Sequence, residues 1–129
     1  LIEEYFSGYS KECQGYSDYV IGLLYLLYFD NLKSIDKAVK YLESSSNSDN
    51  YDAMGTLGTI YFSDGRYFNI KKGVKLLEDA SGGGNTEAMR NLFVFSKKGF
   101  YDQDKGYKWL VSSMNLGNEN SAIYFAQEL

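Results

Sequence analysis

Asp102-Gln103-Asp104-Lys105-Gly106 decides the fold because the chain writes it twice more, as Ser34-Ile35-Asp36-Lys37-Ala38 and as Asn69-Ile70-Lys71-Lys72-Gly73. Each copy sets a residue able to cap a helix three places before a lysine and a small residue. Asp, Ser and Asn side chains accept hydrogen bonds from the free N–H groups of a first helical turn, so each copy predicts a helix start. The ladder behind the cap is shared as well. Ala38, Tyr41 and Leu42 recur as Gly73, Leu76 and Leu77, and again as Gly106, Trp109 and Leu110. The i, i+3, i+4 spacing puts each trio on one helical face.

A second helical pattern lies upstream of each elbow. It is clearest in Ala53-Met54-Gly55-Thr56-Leu57-Gly58-Thr59-Ile60-Tyr61, and Ser17 to Tyr25 echoes it with Ile21, Gly22 and Tyr25 in matching places. The third copy, Ala88 to Ser96, keeps Leu92 but has Phe93 in place of the glycine and Ser96 in place of the tyrosine. Small residues at 17, 53, 88 and 121 mark the register, so the unit recurs every 33 to 36 residues. A helical unit of that period cannot bury its apolar face alone, and stacking neighbours into a solenoid solves the problem.

These residues resemble the Sel-one-like repeats, relatives of the tetratricopeptide repeats, whose pattern is roughly A-x-x-x-L-G-x-x-Y, a glycine-containing loop, D-x-x-K-A-x-x-W and a closing G-N. Ala53, Leu57, Gly58 and Tyr61 match the first helix, Lys37-Ala38 and Trp109 the second, and Gly84-Asn85 and Gly117-Asn118 the closing turn. Asp49-Asn50 replaces the first closing G-N, some loop glycines are missing, and the third unit lacks G-x-x-Y. The resemblance implies an all-α protein, a right-handed α-solenoid of antiparallel helix pairs in one domain over residues 1–129. Its repeats would span about 17–52, 53–87 and 88–120, with flanking helices at 1–16 and 121–129.

Composition narrows the function. The absence of proline and the clustering of turn residues between periodic segments suit helices joined by short loops. The formal charge is −4 and the pI near 4.8, which argues against general binding of nucleic acid or of an anionic membrane, since both need a basic face. The charge is uneven: residues 1–52 carry −5 and residues 88–120 carry +2. A lone Cys13 makes no internal disulfide and gives no sign of an oxidising compartment. No signal-peptide pattern is visible, so the expectation is cytoplasmic, with the periplasm as the alternative if a segment before Leu1 has been removed. The apolar run Tyr19 to Phe29 has eleven residues, against the roughly twenty that a bilayer requires. It predicts either a helix buried on several sides or an apolar contact surface.

Catalytic motifs are sparse. With no histidine, the chain supplies no Ser-His or Cys-His pair, and no metal or cofactor is expected. Asp102 to Gly106 resembles a calcium loop, but its glycine comes one place early and Ser113 stands where the bidentate Glu should be. Ser34-Ile35-Asp36-Lys37 and Ser48-Asp49-Asn50 spell S-x-x-K and S-D-N, yet the register assigns them to a helix cap and a closing turn, and no K-T-G follows. Gly82-Gly83-Gly84-Asn85 follows a helix, whereas phosphate-cradling loops leave a strand. The serine run Ser44 to Ser48 reads as a helix end and turn rather than a linker.

In the family this chain resembles, the first helix of each unit lines the concave side. Carried across by register, that side includes Tyr16, Tyr19, Leu23 and Leu26, then Gly55, Thr59 and Phe62, then Arg90, Val94, Lys97 and Lys98. The groove is thus expected to grade from aromatic and apolar to basic, with Tyr19, Phe62 and Arg90 as its anchors; the alternative for Tyr19 and Phe62 is packing between helices. The expected function is a non-catalytic protein–protein interaction scaffold binding another protein. A bacterial immunity protein that masks a toxin is the alternative, and a hydrolase using Ser34 and Lys37 is the second alternative.

Overall fold

The computed structural model describes residues 3–4, 11–28, 31–63 and 65–129. Among them are seven helices: α1 (Lys11–Tyr28), α2 (Leu32–Asn47), α3 (Tyr51–Ile60), α4 (Ile70–Gly82), α5 (Thr86–Lys97), α6 (Gln103–Asn115) and α7 (Glu119–Glu128). The described residues contain no strand, and each helix packs on the next. The helix expected over 1–16 lies largely outside the described residues, and 11–16 belong to α1, so the boundary drawn at Ser17 falls inside a continuous helix.

Three joints repeat one device. Asp49, Gly84 and Gly117 have φ of 60°, 95° and 93°, the left-handed conformation that ends α2, α4 and α6. The N–H groups of Asn50, Asn85 and Asn118 then donate to the carbonyls of Ser45, Ala80 and Ser113 at 3.2, 3.0 and 3.1 Å. Each asparagine at once caps the following helix: its Oδ1 accepts from the N–H of Ala53, Ala88 or Ser121 at 2.9, 2.8 and 2.9 Å. One dipeptide therefore closes a helix and opens the next. Asp49 does this without glycine because Asp is among the residues that enter the left-handed region at low cost.

The elbows that open α4 and α6 are capped as the sequence predicts, by Asn69 on Lys72 N–H and by Asp102 on Lys105 N–H. The first elbow differs. Asn31, not Ser34, caps α2, and its Oδ1 accepts from both the Ser34 N–H at 3.0 Å and the Ser34 hydroxyl at 3.1 Å. A helix starts at the outermost cap its flanking residues support, so Asn31 extends α2 by a turn and Ser34 sits inside it.

Helix pairs close through small residues. A Cβ on Gly58 would lie 2.9 Å from Leu77 Cγ and 3.2 Å from the Gly73 carbonyl, so α3 and α4 approach to backbone contact. Gly22 receives Leu42 in the same way, and Leu42, Leu77 and Leu110 are all fully buried. Burying each such leucine contributes about 2 kcal/mol. The third pair keeps the fit by another route: Gly106 faces Ser96, and its Cβ would come within 3.3 Å of Phe93 Cα. Polar ties follow the register too, since Ser45 Oγ donates to the Gly15 carbonyl and Ser113 Oγ to the equivalent Thr86 carbonyl.

The tyrosine missing at Ser96 is replaced from elsewhere. Tyr61 donates to Glu43 on α2 at 3.2 Å, and the equivalent glutamate on α4, Glu78, is reached at 2.9 Å by Tyr101 from the loop before α6. Trp109 Nε1 donates to the Tyr101 hydroxyl at 3.3 Å. Burial, followed by the Glu78 carboxylate, pushes the Tyr101 phenol up to about 12. Arg66 and Tyr67 both bond Asp36, tying the α3–α4 loop to α2.

Two expectations follow for urea or thermal melts. Gly58→Ala should cost about 1–3 kcal/mol by overpacking, whereas Gly55→Ala, whose Cβ would meet only the Asn85 side chain at 3.4 Å or more, should gain about 0.5–1 kcal/mol; equal effects would refute the close approach at Gly58. Tyr101→Phe should cost about 1 kcal/mol, and an unchanged melt would show that the Glu78 bond contributes nothing.

Candidate functional site

Successive first helices α1, α3 and α5 share one open face. Their register position two places after the small marker residue carries Tyr19, Gly55 and Arg90 in turn. Where α1 and α5 have a large side chain α3 has none, and the missing bulk leaves a cleft of about 540 Å³ between the three helices. Tyr19 and Leu26 wall it from α1, Asp52, Gly55, Thr56 and Thr59 from α3, and Glu87 and Asn91 from α5.

Hydrogen bonds hold the walls in place. Asn85, while capping α5, donates through Nδ2 to Asp52 Oδ1 at 2.7 Å, and Asn91 Nδ2 reaches Thr59 Oγ1 at 3.2 Å. Burial raises the pKa of the Tyr19 phenol, and the Asp52 carboxylate raises it further, so the hydroxyl keeps its proton and can donate. The charged residues among the described lining are Asp52 and Glu87, both acidic. The site therefore offers aromatic surface, hydroxyl and amide groups, and negative charge.

The expected groove residues divide into four groups. Tyr19, Leu26, Gly55 and Thr59 line the cleft; Tyr16 stands one turn before Tyr19 and is 66% exposed, and Leu23 is half-buried on α1. Phe62 follows the packing alternative. It is buried, stacked on Phe95 with ring centroids 4.0 Å apart, and seated over Gly73. It lies beyond the end of α3, where the helical register that assigned it to the groove no longer holds.

Arg90, Val94, Lys97 and Lys98 do not line the cleft either. The Arg90 guanidinium lies 5.8 Å over the Tyr124 ring of α7, Lys97 pairs with Glu128 of α7 at 3.1 Å, and Lys98 sits 5.8 Å from the Phe95 ring; Val94 is half-buried. The charged residues that line the cleft are acidic, and Arg90 and Lys97 contact α7 outside it. Sequence reading missed Asp52 and Glu87, although both stand one residue before the small marker, at 53 and 88, and that repetition was a signal.

Other motifs resolve into structure. Ser34 is buried against Asn31, and Lys37 Nζ lies 5.2 Å over the Tyr25 ring. Ser44 to Asn47 complete α2, and Gly82 to Asn85 form the α4–α5 joint. The apolar run buries Ile21, Gly22 and Tyr25 and leaves Leu27 and Tyr28 exposed; Phe29 lies outside the described residues. Among the described residues no cluster of Cys, Asp and Glu could hold a metal, and no helix is long and apolar enough to cross a membrane. A scan against protein-family models found no match to the chain, and a search of curated proteins found none either.

The Arg90 Nε is buried without a hydrogen-bond partner. An unsatisfied buried donor costs about 1–3 kcal/mol, against about 0.5–1 kcal/mol for a partly exposed cation–π contact. Arg90→Met should therefore leave the unfolding free energy unchanged or raise it by about 1 kcal/mol. A loss of that size in a denaturant melt would show that the Tyr124 contact dominates.

Proposed function

We propose that the chain is a Sel-one-like repeat scaffold, a right-handed α-solenoid of helix pairs that binds a partner protein on the face shared by α1, α3 and α5 and performs no catalysis itself. The observation that carries this reading is the cleft, built by three successive first helices and left open by Gly55. The joints at 49–50, 84–85 and 117–118 support the repeat, since each resets the chain in the same way. Contact between α3 and α5, which are separated in sequence by α4, supports the stacking of layers along an axis.

Gly55→Gln fills the cleft without changing charge, at a register position that already accepts Tyr19 and Arg90. Affinity capture from the native cell should recover a protein with the wild-type chain and lose it with Gly55→Gln, the helical circular dichroism of the two being alike. Identical capture by both chains would refute the reading.

A further inference from the structure

The chemistry of the cleft narrows what can fill it, and this inference rests on the scaffold reading above. Asp52 and Glu87 also serve as ordinary first-turn acids for α3 and α5, as Glu119 does for α7. What sets the first two apart is position: they face one open cavity whose described lining contains neither lysine nor arginine. Glu87 is exposed and makes no ion pair with the described residues, while Asp52 spends one oxygen on Asn85 and keeps the other. Tyr19 adds a ring and Thr56 a hydroxyl beside the carboxylates. Carboxylates flanking an aromatic face are complementary to an ammonium or guanidinium group.

We propose that this cleft takes a lysine or arginine side chain presented by an extended basic segment of the partner protein. The compact negative site fixes the register of the segment, and the −5 charge of residues 1–52 draws it in.

The test is fluorescence anisotropy at low ionic strength with a short fluorescein-labelled peptide of alternating glycine and arginine, beside its glycine–glutamate counterpart. The basic peptide should bind and the acidic one should not. Asp52→Asn combined with Glu87→Gln, which keeps the Asn85 acceptor, should weaken binding about fivefold or more. Asp104→Asn combined with Glu119→Gln changes the net charge equally away from the cleft and should weaken it less than about twofold. Equal losses in the two double variants would reduce the binding to the general field of the protein and overturn the proposal. Spermine binding as tightly as the peptide would overturn the assignment to a polypeptide. Failure of the basic peptide to bind, with partner capture still lost in Gly55→Gln, would remove the cationic assignment and leave the scaffold; capture unaffected by Gly55→Gln removes the scaffold itself.

Discussion

The structure depends on how the chain turns back after α2, α4 and α6. A residue in the left-handed conformation satisfies the carbonyls of the ending helix, and the asparagine behind it satisfies the amides of the beginning one. Both ends of a helix carry unpaired backbone groups, and this joint settles them within two residues. The return is therefore short and its geometry is reproduced from unit to unit. At two joints the same asparagine does more: Asn85 donates to Asp52 and Asn118 donates to Thr86 Oγ1 at 3.1 Å, so each cap is also a strut to the preceding first helix.

The strut links fold to site. The Asn85–Asp52 bond ties the start of α5 to α3 beside the cleft, and Gly55 puts no side chain into it. A wall built on helices and held by their own caps is stiffer than one built on loops. Asp52 takes part in both tasks, since it accepts from Asn85 and also lines the cavity.

The third unit shows how much a repeat tolerates when the physical requirement is met by other means. Phe93 and Ser96 depart from the pattern, but the requirement at that position is a close helix–helix approach and a hydrogen-bond donor for the glutamate on the preceding helix. Gly106 against Ser96 meets the first, and Tyr101 meets the second. Asp49 likewise stands in for a glycine. Departures from the chain's own repeated pattern can thus preserve the interaction that the repeated residue supplies.

Local pattern alone determined the helices, their caps at Asn69 and Asp102, the closing turns and the buried leucine ladder, because each follows from periodicity and from hydrogen bonding within a few residues. Asn31 shows the limit of such reading, since two capping residues three positions apart compete and the longer helix wins. Only tertiary structure decided the site. Phe62 turned inward because the helix had already ended, Lys97 was taken up by Glu128 of a helix thirty-one residues on, and the cavity opened where three distant segments brought a tyrosine, a glycine and two acids together. Side-chain neighbours across layers depend on how whole helices are placed, and no spacing along the chain encodes that placement.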